Sequence, residues 1–433
     1  MLAFLKKLIP TRVFNFFQPI YHHKLALLAA LWYGFPSRSL TVIGITGTDG
    51  KTTTVHLLHE MFAAAGYSVG SLSSLRFKIN NQEEKNLLKM TMPGKFRLQK
   101  FLADCKRAGC RFAVIEVTSQ GIAQRRHRFI HFSGAVLTNI TPEHIESHGG
   151  FEQYRQAKIK LFRVLPKDGI AVLNREDASA DMFAGATHAR VAWYSKSVLD
   201  VGGTQHQVGI RAVTATDISL TIDEVDMETT FGGDFNVMNI LAAAATVIAF
   251  RVPLAAIAKA LGTFPGMPGR LEYVAKIPFS VVVDYANTPA AYETLYKTLG
   301  ENLVCVLGAP GGGRDRWKRP EIGRIAAQYC KEVVFTSDDP DDEDPNQIAD
   351  ELKSAIPNDS TRNVKVIIDR REAIHAALAD ARPLDTVVIT GMGAQPWFIS
   401  KGHKIPWDDR EVAREELASA RYSTRSQETR TML

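Results

Sequence analysis

Long apolar runs are absent from this sequence of 433 residues, and none approaches the ~20 consecutive residues that a transmembrane helix requires. Cysteine is also scarce: Cys105, Cys110, Cys305 and Cys330 are scattered, with no CxxC pair among them. We therefore expect reduced thiols, no zinc site and a cytoplasmic location, with membrane association left open by the N-terminus.

A strong charge of one sign is also lacking, because 52 basic and 46 acidic residues leave a net charge of only +6. That excess can assist binding to phosphate-bearing or anionic-lipid partners, but it does not indicate a nucleic-acid-binding protein. No internal repeat of the solenoid type is present. Apolar residues make up 45% and charged residues 23%. These values are typical of a globular protein, which we expect to be a monomer of two or three domains.

The N-terminal segment, residues 1–39, is rich in Phe, Leu, Trp and Tyr and is predicted to be helical. Lys6, Lys7, Pro10, Arg12 and Lys24 interrupt it. Since it has neither an unbroken apolar centre nor a clear cleavage site, it does not fit a signal peptide. Two interpretations stay open: a helical pair packed on the main body, or a basic amphipathic surface through which residues 1–35 touch the membrane interface.

From residue 40 onward, short β-rich runs alternate with helical patterns, which predicts an α/β fold with a parallel sheet. The helices are expected at Thr53–Ala65 and Phe235–Phe250. The strands are expected at Leu40–Thr46, Phe112–Val117, Gly134–Thr138 and Ile170–Leu173. Between 190 and 232, alternation such as that of Val213–Ile222 predicts an antiparallel excursion within the same domain.

A Pro/Gly cluster at 264–269 predicts the main domain boundary. Beyond it the βα rhythm restarts, which predicts a Rossmann-like second unit with strands at Ser280–Asp284, Leu303–Leu307, Glu332–Thr336, Val364–Ile368 and Thr386–Thr390. The expected organisation is a helical segment at 1–39, a central P-loop ATPase domain at 40–268, a C-terminal domain at 269–421, and a disordered tail at 422–433.

The run Gly47-Thr48-Asp49-Gly50-Lys51-Thr52-Thr53 lies between a predicted strand and a predicted helix. Glycines let backbone N–H groups point at phosphate oxygens, and the helix N-terminus adds positive potential. Lys51 can neutralise the β- and γ-phosphates, and the Thr52 hydroxyl can ligate Mg²⁺. Although Ile45 stands where the strict motif has its first glycine, the strand–loop–helix context predicts a nucleotide site with ATP and Mg²⁺ as cofactors.

Glu116 ends a buried strand, so we expect it at the carboxyl edge of the sheet beside the phosphate loop, where it would suit Mg²⁺. Thr138-Asn139-Ile140-Thr141-Pro142-Glu143-His144 follows, then His148-Gly149 and, on the next helix, Tyr154 and Lys158. With these motifs, residues 40–416 resemble the Mur ligases, and within them the MurE branch of UDP-N-acetylmuramoyl-tripeptide synthetases.

The resemblance implies roles for individual residues. It implies that ATP is bound by Gly47, Thr48, Gly50, Lys51, Thr52, Thr53, Asn139, Asn236 (against the adenine), Arg270 (reaching the phosphates) and Asp284. Thr52, Glu116, His144 and Lys158 would hold metal, with Lys158 carbamylated into an anionic ligand. Lys51, Glu116, His144, Lys158 and Arg270 would be catalytic. Gly312, Arg314, Asp315, Lys318 and Arg319 resemble the family's Gly-rich segment beside this site. Thr91, Ser119, Arg126 and Arg314 would face the muramoyl-peptide substrate.

The reaction that the resemblance implies is ATP-dependent amide-bond formation in peptidoglycan precursor synthesis. A substrate carboxylate attacks the γ-phosphate, and the resulting acyl phosphate is attacked by the amine of an amino acid, releasing ADP and phosphate. Two domains closing on ATP would bring the reactants together and exclude water.

The sequence departs from the family in several places. The N-terminal domain that grips the uridine nucleotide is missing ahead of residue 40, which leaves UDP-linked and lipid-linked muramoyl peptides open as substrates. Diaminopimelate-adding members carry Asp-Asn-Pro-Arg, but here the run is Asp338-Asp339-Pro340-Asp341. Asp341 replaces the arginine that grips the distal carboxylate. We expect Asp339 or Asp341 to face the substrate and to favour lysine or ornithine.

At the amine end, Gly391-Met392-Gly393-Ala394-Gln395 replaces the family's Gly-Lys-Gly-His-Glu, so Gln395 would contact the amino acid in place of a charged residue. Asn287 and Gln120 stand where histidines are expected. Two alternatives therefore remain. One is a related ligase of the folylpolyglutamate, poly-γ-glutamate or amidating type. The other is a degenerate ATP-binding regulatory or scaffold protein.

Overall fold

A computed structural model describes residues 11–357 and 362–419, with side chains from residue 17 onward. The predicted tail at 422–433, together with Lys6, Lys7 and Pro10, therefore lies outside the described residues. Within the described part, no helix is long and apolar enough to cross a membrane.

The larger unit is built on a twelve-stranded sheet with the strand order β12-β11-β10-β9-β8-β7-β6-β1-β5-β2-β3-β4. Its strands are β1 (Thr41–Thr46), β2 (Val69–Leu72), β3 (Arg76–Ile79), β4 (Gln82–Lys85), β5 (Phe112–Glu116), β6 (Phe132–Leu137), β7 (Ile170–Asn174), β8 (Arg190–Tyr194), β9 (Val198–Val201), β10 (Thr204–Val213), β11 (Ile218–Ile222) and β12 (Val225–Thr229). In this spatial order, every neighbouring pair in the stretch β8-β7-β6-β1-β5-β2 is parallel. The predicted central parallel sheet is confirmed.

Both edges of this sheet are antiparallel. On one side, β8 to β12 form successive antiparallel pairs, as the alternating pattern of residues 190–232 predicts. On the other side, β2, β3 and β4 form an antiparallel meander. The sequence pattern does not indicate this second meander, because β4 is polar and exposed along its whole length.

Helices cover both faces of the sheet, as a buried parallel sheet requires. They are α2 (Lys51–Ala64), α3 (Lys95–Arg107), α4 (Ser119–Ala123), α5 (Ile145–His148), α6 (Phe151–Arg163), α7 (Ala180–Ala186), α8 (Asp234–Ala249) and α9 (Leu254–Gly262). One core joins α2, α8 and α9 to the sheet through residues such as Leu58, Ile240 and Ile257. The opposite core joins α3, α6 and α7 through Leu102, Phe162 and Phe183.

The C-terminal unit has a six-stranded sheet of order β13-β14-β18-β15-β16-β17. Its strands are β13 (Glu272–Ala275), β14 (Ser280–Asp284), β15 (Leu303–Leu307), β16 (Cys330–Phe335), β17 (Asn363–Val366) and β18 (Thr386–Thr390), and a hairpin of β19 (Trp397–Ser400) and β20 (His403–Pro406) follows. Every pair except β13–β14 is parallel. All five predicted strands are present; β13 and the hairpin are additions.

The helices of this unit are α10 (Pro289–Leu299), α11 (Lys318–Tyr329), α12 (Pro345–Lys353) and α13 (Arg370–Asp380), and residues 409–419 are also helical. α10, α11 and α12 pack on one face of the sheet, whereas α13 and helix 409–419 pack on the other. The loop between Gly262 and Glu272 joins the two units and contains the Pro/Gly cluster. The predicted α/β fold with a second, Rossmann-like sheet is therefore confirmed.

Ahead of the central sheet lies α1 (Thr11–Trp32), followed by a short 3-10 turn at Pro36–Ser39. Its inner side chains Ala26, Ala29 and Ala30 are buried. His22 Nδ1 accepts a 3.1 Å hydrogen bond from the Lys95 ammonium of α3. The described part of the segment is thus one helix packed on the body, and the rest of the predicted helical pair lies outside the described residues.

The expectation that all cysteines are reduced is wrong for this structure. Cys305 on β15 and Cys330 at the start of β16 form a disulfide, while Cys105 and Cys110 are free and buried. The 25 residues between the bonded pair contain α11. Because that crossover returns the chain to a parallel neighbouring strand, the two residues meet although they are far apart in sequence.

Candidate active site

The phosphate loop connects β1 to α2 and has two glycines in left-handed backbone geometry. Gly47 has a φ of 151° and Gly50 a φ of 80°. A Cβ atom at Gly47 would lie 1.8 Å from Thr138 Oγ1, and one at Gly50 would lie 2.1 Å from Asn239 Oδ1. Side chains larger than hydrogen are therefore excluded at both positions on steric and conformational grounds.

The loop is fastened to the segment that follows β6. The Thr48 amide donates to the Asn139 carbonyl at 2.9 Å, and the Asp49 amide donates to Asn139 Oδ1 at 2.9 Å. The Thr48 hydroxyl also lies 3.0 Å from the Tyr154 hydroxyl of α6. These contacts fix the backbone of the phosphate loop, and the loop residues Thr48–Thr53 line the cavity.

Glu116, at the carboxyl end of β5, is joined to the first turn of α2. The Thr52 hydroxyl lies 3.1 Å from both carboxylate oxygens, and the Ser74 amide donates to Oε2 at 2.7 Å. Burial raises the pKa of Glu116, while Lys51 opposes that shift. The carboxylate thus faces two neutral donors and a nearby ammonium, an arrangement whose oxygen donors suit a hard cation.

Lys158 lies directly beneath the phosphate loop. It is 2% exposed, and its ammonium donates to the Gly47 carbonyl at 2.6 Å and lies 4.6 Å from the Tyr154 ring centre. Burial lowers the pKa of Lys158 well below its ordinary value, and Lys51 lowers it further. A buried amine that favours its neutral form is a nucleophile, which is the chemical requirement for carbamylation by CO₂.

His144 lies in the segment that follows β6, and Asp315 joins that segment to the C-terminal unit. Burial lowers the pKa of His144 to about 3, with Arg314 as the next cause, so its imidazole is neutral and free to act as a ligand. The Asp315 carboxylate accepts from the amides of Ile145 and Glu146 at 3.0 and 3.1 Å. A residue from one unit thereby caps the first turn of α5 in the other.

The C-terminal unit contributes the opposite wall. Asp284, at the end of β14, accepts from the Leu271 amide at 2.7 Å, and burial raises its pKa. The Arg270 guanidinium lies 4.1 Å from the centre of the Tyr285 ring. Thr288, the N-cap of α10, donates to Asp49 Oδ2 at 3.2 Å across the junction.

A buried ion pair closes the same junction. The Lys318 ammonium lies 2.9 Å from Glu143 Oε1 and donates to the Asn287 carbonyl at 2.9 Å. The two side chains are 3% and 9% exposed. Burial raises the pKa of Glu143, and Lys318 opposes the shift. This pair joins the segment after β6 to α11 without solvent between them.

These elements enclose a cavity of about 470 Å³ between the two units. The predicted site residues that line it are Thr48, Gly50, Lys51, Thr52, Thr53, Thr91, Glu116, Asn139, His144, Arg270, Asp284, Arg314, Asp339 and Gln395. The sequence-predicted nucleotide, metal and acceptor groups are therefore brought together in one space.

Six predicted residues do not line the cavity. Gly47 is the first residue of the phosphate loop but does not line the cavity, and Lys158 lies just behind the loop. Asn236 is buried in α8, where its amide donates to the Gly232 carbonyl at 2.7 Å, and Asn239, one turn on, reaches the cavity instead. The other three are treated below, because they concern the substrate end.

Ser119 and Arg126 lie outside the cavity wall. The Ser119 hydroxyl lies 3.1 Å from His148 Nε2. The Arg126 guanidinium donates to the Met92 carbonyl and to Gln124 Oε1. Both are thus engaged with neighbouring protein groups at the end of the site where a muramoyl peptide is expected.

The two acids expected at the amino-acid end differ in placement. Asp339 and the buried Asp338 line the cavity, but Asp341 does not. Burial raises the pKa of Asp338 to about 6. Asp341 turns toward the backbone at Gly312, where an added Cβ would lie 2.5 Å from its carboxylate. Of the residues in this run that were expected to face the substrate, only Asp339 does so.

Lys89 is the participant that sequence reasoning missed. It comes from the loop after β4, yet its ammonium lies 2.6 Å from Asp339 Oδ2 and 4.8 Å from the centre of the Trp397 ring. Trp397 donates to the Leu87 carbonyl at 3.3 Å, so the β19–β20 hairpin is held against the same loop. Lys89 gives no local signal, since the contact joins residues 250 positions apart.

A P-loop α/β unit and a second α/β unit that share one cavity are typical of nucleotide-dependent two-domain enzymes. Family comparison identifies its class. The Mur ligase middle domain matches residues 45–247, and the Mur ligase glutamate ligase domain matches residues 269–393.

Similar proteins include the UDP-N-acetylmuramoyl-L-alanyl-D-glutamate–2,6-diaminopimelate ligase of Thermosynechococcus vestitus, 38% identical over 90% of this chain and 79% of that protein. The UDP-N-acetylmuramyl-tripeptide synthetase of a Roseiflexus species is 37% identical over 92% and 82% of the two chains. This protein therefore belongs to the Mur ligase family, whose members are ATP-dependent, ADP-forming amide ligases.

Solved structures agree on the fold. A diaminopimelate ligase structure at 29% identity covers 88% of this chain and 79% of its own, with a TM-score of 0.58. The folylpolyglutamate synthase of Mycobacterium tuberculosis, complexed with ADP and AMPPCP, has a TM-score of 0.68 at 20% identity and covers 85% and 92% of the two chains. At that identity the second likeness concerns architecture alone.

Proposed function

We propose that this ligase phosphorylates the carboxylate of a muramoyl peptide with ATP and joins the resulting acyl phosphate to the amine of an amino acid. The observation that carries the proposal is the Thr52–Glu116 contact at the mouth of the phosphate loop, opposite Arg270 and Arg314 across one cavity. A protein that only binds a nucleotide has no need of this pair of arginines.

The oxygen set at Thr52 and Glu116 fits Mg²⁺, because the Thr52 hydroxyl lies 3.1 Å from both oxygens of the buried carboxylate and both groups are hard oxygen donors. Bound there, Mg²⁺ would supply charge neutralisation for the transferring phosphate oxygens. A second metal fits less directly: among the described residues, no group of three His, Cys, Asp or Glu side chains is arranged to hold one. Carbamylated Lys158 beside His144 would complete such a set.

The protein's own groups then divide the work. The amides of the phosphate loop and Lys51 bind and orient the phosphates, and Arg270 approaches from the other unit. The interdomain contacts of Lys318 and Thr288 hold the two units together beside the cavity, and a closed junction would limit the access of water to an acyl phosphate until the amine arrives.

For the amino acid, we propose a side chain that ends in an ammonium group, as in lysine or ornithine. Asp338 and Asp339 line the cavity near Gln395, and Lys89 neutralises only one of them. An incoming ammonium would replace the Lys89 ammonium on Asp339 and leave the local charge unchanged.

A second candidate is diaminopimelate, whose distal carbon carries both an ammonium and a carboxylate. The Lys89–Asp339 pair, with its two charges 2.6 Å apart, complements such a zwitterion, and Lys89 would take over the role of the arginine that Asp341 replaces. Several relatives are named for this amino acid.

The two candidates separate in one experiment. Phosphate release is measured with ATP, Mg²⁺ and a muramoyl dipeptide, UDP-linked or lipid-linked, with lysine, ornithine or meso-diaminopimelate as the amine. For a lysine-type substrate, Lys89→Met lowers KM because it removes a competitor, and Asp339→Asn raises KM at least about tenfold. For diaminopimelate, both variants raise KM.

Lys404→Met is the matched control, because the Lys404 ammonium lies against the Trp397 ring but outside the cavity. It should leave all three KM values within about twofold. If ATP binds but no muramoyl acceptor supports phosphate release with any amine, the proposal is wrong, and turnover with folate or poly-γ-glutamate acceptors would identify the related ligase instead.

A further inference from the structure

The outward face of α1 is apolar, although it lies on the surface. Ile20, Tyr21, Leu28 and Leu31 are 45–57% exposed, and Trp32 is 76% exposed. With Phe17 and Lys24 they occupy positions i, i+3, i+4, i+7, i+11, i+14 and i+15, which form one helical stripe. We call Phe17, Ile20, Tyr21, Lys24, Leu28, Leu31 and Trp32 the outer stripe.

The opposite face of α1 is already used. Ala26, Ala29 and Ala30 are buried against the body, His22 bonds Lys95, and the His23 ring lies 5.0 Å from that of Phe129. A helix that is apolar on both faces is unusual at a water-exposed surface. Because the inner face is anchored, the outer stripe is presented outward on a fixed support.

The charged residues of the N-terminal segment all have one sign. No Asp or Glu occurs before Asp49, whereas Lys6, Lys7, Arg12, Lys24 and Arg38 all precede it. Lys24 is exposed in the middle of the stripe, and Arg38 is exposed just beyond its end. A complementary surface must therefore be apolar and negatively charged together, and an anionic bilayer has both properties.

The aromatic residues support the same occupant. Tyr21 and Trp32 have amphipathic rings of the kind that concentrate at the level of lipid headgroups. A second copy of the chain fits less well, because Lys24 lies at the centre of the stripe. In a two-fold contact, central residues meet themselves, so the two Lys24 ammonium groups would repel each other.

We propose that the outer stripe binds the surface of an anionic membrane, with α1 lying parallel to the bilayer and inserting only one layer of side chains. This surface does not depend on the proposed amino-acid chemistry. It would bring the cavity close to acceptors that are carried by a lipid.

The test is flotation of the full chain with vesicles of phosphatidylcholine alone or with about one-third phosphatidylglycerol, at low and high salt. Wild type is expected to float with the anionic vesicles and to lose much of this binding at high salt. Leu31→Ser/Trp32→Ser should reduce the bound fraction at least tenfold, and Lys24→Glu should reduce it severalfold. Ile210→Ser/Leu384→Ser, which changes two exposed apolar residues elsewhere, is the matched control and should bind like wild type.

A second readout locates the contact. Brominated lipids quench tryptophan fluorescence at close range, and Trp32 is one of five tryptophans. Quenching should be strong in wild type and largely lost in Trp32→Phe, which keeps an apolar ring and still floats.

Equal flotation of wild type and Leu31→Ser/Trp32→Ser, or unchanged quenching in Trp32→Phe, overturns the proposal. So does a wild-type dimer that the double variant converts to a monomer without any vesicle binding. Phosphate release with a soluble acceptor, which the double variant should retain, separates this outcome from failure of the proposed catalysis.

Discussion

Removing the Lys318 ammonium should destabilise the protein in a pH-dependent way. In Lys318→Met, Glu143 keeps its burial but loses the cation 2.9 Å away, and its second oxygen, Oε2, already lacks a hydrogen-bond partner. Breaking a buried pair on one side costs about 3–5 kcal/mol. Asn287 loses only a carbonyl contact, which costs about 1 kcal/mol.

The location of the pair limits this cost. Glu143 and Lys318 belong to different units, so the variant can hydrate Glu143 by loosening the junction instead of unfolding. The loss of global stability is therefore capped by the free energy with which the two units dock. We expect about 3 kcal/mol, which corresponds to a fall in Tm of roughly 6–12 °C for units of this size.

The pH dependence has a definite sign. Burial raises the pKa of Glu143 in the folded state, and without Lys318 nothing comparable opposes that shift. An acid whose pKa is higher in the folded state binds a proton more readily there, so the penalty is full at neutral pH and shrinks as pH falls through the folded pKa. The gap between wild type and Lys318→Met should narrow from pH 8 to pH 5.

Urea unfolding of both proteins at pH 5, 6.5 and 8 measures this gap. The double variant Lys318→Met/Glu143→Gln is the control, because it removes both charges and should recover at least half of the loss. A stability gap that is independent of pH would refute the buried-charge argument. So would a double variant whose loss equals the sum of the losses measured separately for Lys318→Met and Glu143→Gln.

Three other changes test separate parts of the structure. Gly50→Ala should abolish ATP binding, measured by calorimetry, because its Cβ would displace Asn239 and its φ of 80° disfavours alanine. Its Tm should stay within a few degrees of the wild-type value. Glu116→Gln should lower kcat at least about a hundredfold and weaken the dependence on Mg²⁺, measured by phosphate release over a range of Mg²⁺ concentrations. Arg370→Met should cost about 3–5 kcal/mol in urea unfolding, because the carboxylate of the fully buried Asp409 loses a two-pronged ion pair.

Local motifs made much of this protein predictable. The phosphate loop joins a strand to a helix within seven residues, so its glycines and Lys51 carry their chemistry in sequence order. Glu116 was placed correctly because parallel strands end at one edge of the sheet, where its carboxylate meets Thr52. In each case, a short-range pattern and a general rule of sheet topology suffice.

Contacts across the junction were not predictable in the same way. Lys89 and Asp339 meet only because the two units dock. Asp339 belongs to a motif that the sequence shows, but Lys89 has no periodic or motif-based signal. The disulfide between Cys305 and Cys330 depends likewise on a crossover that returns to a neighbouring strand. The side-chain direction of Asp341 also lay beyond the sequence, since Asp339 and Asp341 have similar positive φ values of 48° and 55°, yet only Asp339 lines the cavity.

The two ends of the cavity therefore differ in how they are built. The phosphate end is fixed by backbone amides, glycines and short side chains from one unit, so a substitution there disturbs geometry that no neighbour can restore. The amine end is made by long side chains, Lys89 among them, that reach across the junction and can exchange partners at little steric cost. Of two residues at which the sequence departs from the family's pattern, Gln395 lines the cavity, whereas Asp341 does not. Under the proposed function, the chain keeps the energy-coupling step of its family, and a few charges between the two units would set its choice of amine.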